Sequence, residues 1–400
     1  MLYLLPPSGT PIGVKDIAKI VALRIGLEGL EEPFTQELKR LTGSKHVWLL
    51  NSGRAALFVL LREFSRMAGP EKKEVVIPSW TCFSVAASIV RAGLKIRLVD
   101  IDPMTLDYDY NKLGEIDFNH VLAVIASNLF GIVSDWNRLR AITKGQSVFL
   151  IDDAAQAFGT MVNGRAAGTL GDAGFYSLDR GKNLSTCGGG VLVTNNDDLA
   201  RYIEGAIESL PTPGIISEMV TVSRIFLHSM LLRPRCYWFP NMLPFLGLGE
   251  TVYDEHFSVA KLSRLQQYAG GLLIDRLNLL NTQRSARALQ IAEGIRLLGK
   301  FEIPSSQATT DTIYLRLPVL AADQALRDTA VRFLRKGGIT ASSMYPAIIC
   351  EIPGIEPQLA SLKGDFPGGK QVLARLFTLP THAYVRQEDI DSIVAILSEV

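Results

Sequence analysis

The sequence predicts an α/β protein, with a mostly parallel sheet sandwiched by helices and a smaller C-terminal α/β unit. Three observations carry that expectation. Short, near-continuous apolar runs rich in β-branched residues, such as "EVVIP", "VLAVIAS" and "SVFLID", recur with helical stretches between them. Strands that are apolar on both faces belong to sheets covered on both sides. The chain is 400 residues long, enough for a large core with a satellite, and past about residue 255 its texture changes to long helical patterns.

Each element follows from local chemistry. "VWLL" reads as a strand, the polar turn Asn51-Ser52-Gly53 follows, and "RAALFVLL" continues as an amphipathic helix. "EVVIPSW" and "LKIRLVDID" are strands around the helix "TCFSVAASIVRAG", which Gly93 closes. The pattern repeats with the strand "VLAVIASNLFG", the helix "SDWNRLRAITKG", capped by Ser134, and the strand "SVFLIDD". "AGFYSLD" and "GGVLVTN" are two more strands flanking a polar loop that carries Lys182. The segment 225–250, "IFLHSMLLRPRCYWFPNMLPFLGLGE", is unusually apolar. It reads as an excursion that is buried or covered in a dimer, the other reading being a surface that touches a membrane or a lipid-linked substrate. One long helical pattern from Lys261 to Gly299, a strand "DTIYLRLPVL", and the helices "ADQALRDTAVRFLRKGG" and "RQEDIDSIVAILSEV" complete the chain. The expected division is 1–255 for the large unit and 256–400 for the small one.

Composition excludes several function classes. Lys and Arg number 41 against 40 Asp and Glu, so neither nucleic acid nor an anionic membrane is called for by net charge. The four cysteines and five histidines are scattered without metal-ligand or paired spacing, which points to reduced thiols, a cytoplasmic protein and no metal site. "MLYLLPPSGTPIG" lacks the basic and apolar regions of a signal peptide, and no apolar run is long enough to span a membrane.

The candidate chemistry sits where the strands end, the usual ligand edge of such sheets. Asp152 and Asp153 close one strand, and alternation along it should point them to opposite faces. One of them could simply cap the following helix. The other reading gives Asp153 a buried cation to hold, such as the protonated ring nitrogen of pyridoxal phosphate, with Lys182 as the amine that joins the cofactor. Ser52 and Gly53 stand at a helix N-terminus, where backbone amides and the helix dipole can bind a phosphate, although an unliganded cap explains them equally. Ser177, five residues before Lys182, is a further hydroxyl donor or an ordinary strand serine.

Taken in order, "NSGRAAL", "VVIPSWTC", "VDIDPMTLDYD", "LFG", "IDDAAQAFG" and "GDAGFYSLDRGKNLSTCGGGVLVT" resemble the DegT/DnrJ/EryC1/StrS sugar aminotransferases. The resemblance is dense from Gly43 to Asn195 and returns near "FPGGKQVLARLFTLPTHAYV". It implies a fold type I enzyme that uses pyridoxal 5′-phosphate, with Lys182 as the Schiff-base lysine and general acid/base, and Asp153 as partner of the ring nitrogen. Gln156 would contact the ring's phenolic oxygen, and Ser52, Gly53, Arg54 and Ser177 would surround the phosphate. It further implies an amino donor, glutamate, a nucleotide-linked keto-sugar acceptor in polysaccharide or glycan biosynthesis, and a homodimer. Relatives that act as dehydratases carry histidine at the lysine position. Other fold type I activities and an inactive regulatory relative are the alternatives.

The chain also departs from the family pattern. Arg54 replaces a threonine, Cys82 stands where an aromatic often stacks on the ring (Trp80 or Phe83 could substitute), and Asn128 replaces a histidine. "VAKLSRLQ" puts Val259 and Lys261 where the family has an asparagine and an arginine, the former reaching the neighbouring subunit's phosphate. Arg54 is expected to offset that loss. Arg180 and Tyr345 are candidate substrate contacts or ordinary surface and packing residues.

Overall fold

The computed structural model describes residues 3–26, 33–242, 252–308, 311–361 and 364–400. Seven strands form the central sheet: β1 (His46–Leu50), β2 (Glu74–Pro78), β3 (Lys95–Val99), β4 (Val121–Ser127), β5 (Phe149–Asp153), β6 (Ala173–Ser177) and β7 (Gly190–Thr194). Their spatial order is β1-β7-β6-β5-β4-β2-β3, and all are parallel except β7, which runs against both neighbours. Successive side chains alternate between two cores: Val75 and Ile77 enter one and Val76 the other, as do Ile125 and Val124. Helices cover both faces, so the strands read as continuous apolar runs.

A second sheet of three antiparallel strands, β8 (Phe301–Glu302), β9 (Arg316–Ala321) and β10 (Leu376–Pro380), packs with the helices Leu277–Arg296, Gln324–Lys336 and Gln387–Ser398. Contacts cross residue 255 in both directions. Leu5 pairs with Ile339, and the His382 ring nitrogen Nε2 lies 2.7 Å from the Pro6 carbonyl. Conversely, residues 258–261 lie against the end of β1, where Asn51 exchanges backbone and side-chain hydrogen bonds with Ala260.

Two local expectations are corrected, and of the two covers expected for the apolar segment the chain's own core is excluded. Asp135, not Ser134, caps the Trp136–Thr143 helix, accepting the amides of Asn137 and Arg138; the Ser134 N–H is taken by the Asn128 side chain at 3.2 Å. The long helical pattern is two helices, Arg264–Leu273 and Leu277–Arg296, divided by a 3₁₀ turn at Ile274–Arg276. The apolar segment begins inside a helix, Ile215–Leu231, whose apolar side faces out rather than into the chain's own core. A second helix, Pro234–Asn241, follows it, and residues 243–251 lie outside the described part. Among the described residues no helix is long and apolar enough to cross a membrane.

Candidate active site

The pairing register brings the ends of β1, β6, β5 and β4 and the start of β7 to one edge. Leu50 stands opposite Gly190, Gly190 opposite Ser177, and Asp153 opposite Ser127. Just beyond β1, the Ser52 hydroxyl accepts the Ala55 N–H at 3.1 Å and caps the Gly53–Ala68 helix. The helix starts tight against the sheet. A Cβ on Gly190 would lie 2.2 Å from the Ser52 carbonyl oxygen and 2.6 Å from the Gly53 nitrogen, and one on Gly53 would lie 3.2 Å from the Ser177 Cβ. Ser52, Gly53 and Ser177 therefore share one small cradle at a helix N-terminus, a place that favours an anion.

Asp152 and Asp153 do point to opposite sides. Asp152 is fully buried and closed by three donors, Asn128 Nδ2 at 2.7 Å and the amides of Gly168 at 2.6 Å and Leu170 at 3.0 Å. Asn128 also donates to the Asp153 carbonyl at 2.8 Å, so the residue that departs from the family pattern ties β4 to β5. Among the described residues Asp153 accepts only the Ala155 N–H, at 3.0 Å. Burial pushes its carboxyl up to about 6, the Ala155 hydrogen bond and the Lys182 ammonium pulling the other way.

Lys182 lies in the loop between β6 and β7. The Leu178 N–H bonds to the Gly189 carbonyl, the amides of Thr186 and Gly188 turn back onto the Leu178 carbonyl, and Gly188 and Gly189 have φ of 141° and 131°. These are angles that residues with a Cβ rarely adopt, which accounts for the glycines behind the lysine. From the other side, Thr10 Oγ1 donates to the Lys182 carbonyl at 2.6 Å, and Ser8 Oγ would sit 2.3 Å from a Cβ on Gly181. The amino-terminal lead is thus part of the wall around the lysine, a role that no motif in "PPSGTPIG" announces.

Gln156 accepts the Phe130 N–H at 3.2 Å and donates to the Tyr345 hydroxyl at 3.0 Å. Tyr345 is 2% exposed, and its ring packs on Trp80 and Phe83 with centroids 5.1 and 6.3 Å away. Burial raises its hydroxyl well above the ordinary tyrosine range, and the Cys82 thiol and Asp153 carboxylate nearby add to this. Tyr345 thus joins Cys82, Gln156 and Asp153 in one group, whereas the Arg180 side chain is exposed. The Trp80 indole N–H is buried without a partner.

The structure also reveals cations that motif reading passed over. Arg284, Arg287 and Arg316 surround the buried His382, and none of the three makes an ion pair among the described residues. Arg284 is 2% exposed, and its Nη1 and Nη2 donate to neutral acceptors, including the Asn183 carbonyl and Thr10 Oγ1, while its Nε is buried with no partner among the described residues. Arg316 reaches Ser8 Oγ at 2.9 Å and Met344 Sδ at 3.0 Å, between the lysine loop and Tyr345. Arg316 opens β9, and a charge at the start of a strand reads from sequence as an edge residue.

Arg54 stands otherwise than expected. Its guanidinium lies over the Phe257 ring at 5.1 Å and 3.8 Å from the Asp254 carboxylate, leaving its backbone amide at the helix start. Val259 packs on the apolar core, and Lys261 Nζ donates to the Glu208 carbonyl at 3.3 Å.

The residues present fit pyridoxal phosphate. A buried carboxylate with a spare oxygen suits a ring cation, the glycine cradle suits a phosphate, and the Lys182 amine is near enough for its charge to act on Asp153. Fold and site define a fold type I pyridoxal-phosphate enzyme. The family model of the DegT/DnrJ/EryC1/StrS aminotransferase family matches residues 28–398, and the chain belongs to that family of pyridoxal-phosphate-dependent aminotransferases. It is similar to GDP-perosamine synthase of Caulobacter vibrioides, 26% identical, with 90% of this chain and 86% of that protein covered. Its fold matches Helicobacter pylori PseC, an aminotransferase involved in the biosynthesis of pseudoaminic acid, with a TM-score of 0.78, 17% identity, and 99% and 98% of the two chains covered. It also matches the E. coli GDP-4-keto-6-deoxy-D-mannose-3-dehydratase with bound hydrated PLP, with a TM-score of 0.78, 16% identity, and 99% and 100% covered.

Proposed function

We propose that this aminotransferase moves the amino group of glutamate to a keto-sugar carried on a nucleotide. The observation that carries the reading is the meeting of Lys182, Asp153, Gln156 and the Ser52–Gly53 cradle on one sheet edge, within a chain of this family. Residues 1–255 would hold the cofactor and 256–400 would close the site, a second copy completing it as a homodimer.

The cofactor, when bound, supplies an electron sink for the carbon that loses or gains a proton. Asp153 stays ionised opposite the ring cation, and Gln156 orients the group from its side. Ser52, Ser177 and the amides of Gly53 and Arg54 hold the phosphate. Lys182 Nζ removes the proton from the Cα of the donor and in the second half returns one to the sugar carbon. The Arg316 guanidinium, which has no acidic partner among the described residues, binds the donor's carboxylate beside Lys182. Tyr345 and Trp80 keep water out.

The test is the visible spectrum of protein supplied with pyridoxal phosphate. A band that bleaches with glutamate and is missing in Lys182→Ala, followed by transfer of ¹⁵N to a nucleotide keto-sugar, supports the reading. A band indifferent to glutamate removes glutamate as donor.

A further inference from the structure

The helix Ile215–Leu231 is built inside out. Its buried residues are Glu218, Thr221, Ile225 and Ser229, mostly polar. The Glu218 carboxylate takes Arg24 Nε at 2.6 Å and the Leu265 N–H at 3.2 Å, while Ser229 Oγ donates to the Ile12 carbonyl at 2.5 Å. Its exposed residues are apolar: Ile215, Ile216, Met219, Phe226, Leu227 and Met230, of which Ile216 is 77% and Met219 65% exposed. A surface helix ordinarily has the opposite polarity. The apolar exposure continues through Phe239 and Met242 in and beyond the next helix. Contiguous apolar surface of this kind marks an interaction site.

The exposed charges on the segment itself are of one sign. Between Pro211 and Met242 the acidic side chain is Glu218, buried in its ion pair, whereas Arg224, Arg233 and Arg235 are all exposed and make no ion pair among the described residues. The helix also stands beside the lysine loop, since the charges of Arg180 and Asp179 both reach His228.

We propose that this helix lies on an anionic lipid surface, its apolar side set into the headgroup boundary and its arginines on the lipid phosphates. Apolar and aromatic side chains accompanied by arginine are what such a surface binds. The 17-residue helix is not long and apolar enough to cross a membrane, and with one polar side anchored to the protein it lies flat. The exposed arginines beside the patch, which make no ion pair among the described residues, favour an anionic surface over a second copy, and the vesicle experiment separates the two. The orientation would hold the Lys182 loop next to the bilayer surface.

The full-length protein is centrifuged with phosphatidylcholine vesicles, with and without phosphatidylglycerol. It should sediment with the anionic vesicles alone, release at high salt, and lose about tenfold in binding in Ile216→Asp/Phe226→Asp. Arg233→Glu/Arg235→Glu, on exposed positions that leave the fold's core untouched, should lose binding with an unchanged melting temperature. Protein that stays in the supernatant with both vesicle types overturns the proposal. So does a dimer that dissociates in the aspartate variant while wild type ignores vesicles, since a second copy would then be the occupant.

Discussion

Asp152 and Asp153 leave β5 on opposite faces and in opposite states of satisfaction: three donors close on Asp152, one on Asp153. Their variants should therefore fail differently. Asp152→Ala strands buried amides at Gly168 and Leu170, each costing about 1–3 kcal/mol, so a loss of roughly 3 kcal/mol is expected in denaturant unfolding. Asp153→Asn keeps the shape and should unfold much like wild type, yet bind pyridoxal phosphate at least about tenfold more weakly by fluorescence titration, because a ring cation loses its counter-charge. Equal unfolding curves for the two variants would contradict this division of labour.

The raised carboxyl of Asp153 has a consequence for pH. Its folded value of about 6 lies above the ordinary 3.8, so the folded apoprotein binds the proton more tightly than the unfolded chain. Stability from this source is fully present below pH 4 and is lost as pH rises through 6, on the order of 3 kcal/mol. Asp152 contributes with the same sign. Burial holds the imidazoles of His382 and His228 low, to about 3 and about 4, so both titrate with the opposite sign over the same range. The readout is therefore the difference between wild type and Asp153→Asn: in urea unfolding of the apoproteins at pH 4.5 and 7 the variant should gain stability relative to wild type as pH rises, and bound cofactor should remove that difference.

Gly190→Ala forces a Cβ to within 2.2 Å of the Ser52 carbonyl. The start of the Gly53–Ala68 helix must move, at a cost of about 1–3 kcal/mol. The phosphate cradle moves with it, so the expected result is a lower melting temperature together with cofactor affinity reduced more than that of Gly53→Ala, where the nearest atom is a serine Cβ at 3.2 Å.

For Arg316, replacement by alanine should raise the KM for glutamate by about a hundredfold, with a smaller change in kcat and none in the KM of the sugar, in line with loss of a charge-assisted pair. Dicarboxylates such as 2-oxoglutarate should raise the melting temperature of wild type but not of the variant. Arg316→Lys should restore part of the effect. A KM unaltered for glutamate would return Arg316 to a packing role.

Much of this molecule was legible in its sequence, for reasons that can be named. β2, β4 and β5 are buried on both faces and so appear as unbroken apolar runs. The loop of Lys182 shows itself because its backbone angles demand glycine at 188 and 189. Other features depend on partners distant in the chain. Ser134 and Asp135 are both capping residues, and only the competing claim of Asn128 on the Ser134 amide separates them. The Ile215–Leu231 helix is apolar enough to read as core, and its true orientation follows from Arg24 drawing Glu218 inward. Arg316 and Tyr345 are placed by the second sheet, whose packing on the first no local pattern encodes.

Leu5 pairs with Ile339, Ser8 holds Arg316 and Thr10 holds the Lys182 carbonyl, so residues 3–10 act as a drawstring through both sheets and the Lys182 loop. The family match begins only at residue 28. A chain trimmed to its recognisable part would keep the central sheet and the Ser52–Gly53 cradle while leaving Lys182 slack, and an affinity tag spliced close to Tyr3 would pull on the cord that keeps the Lys182 backbone in place.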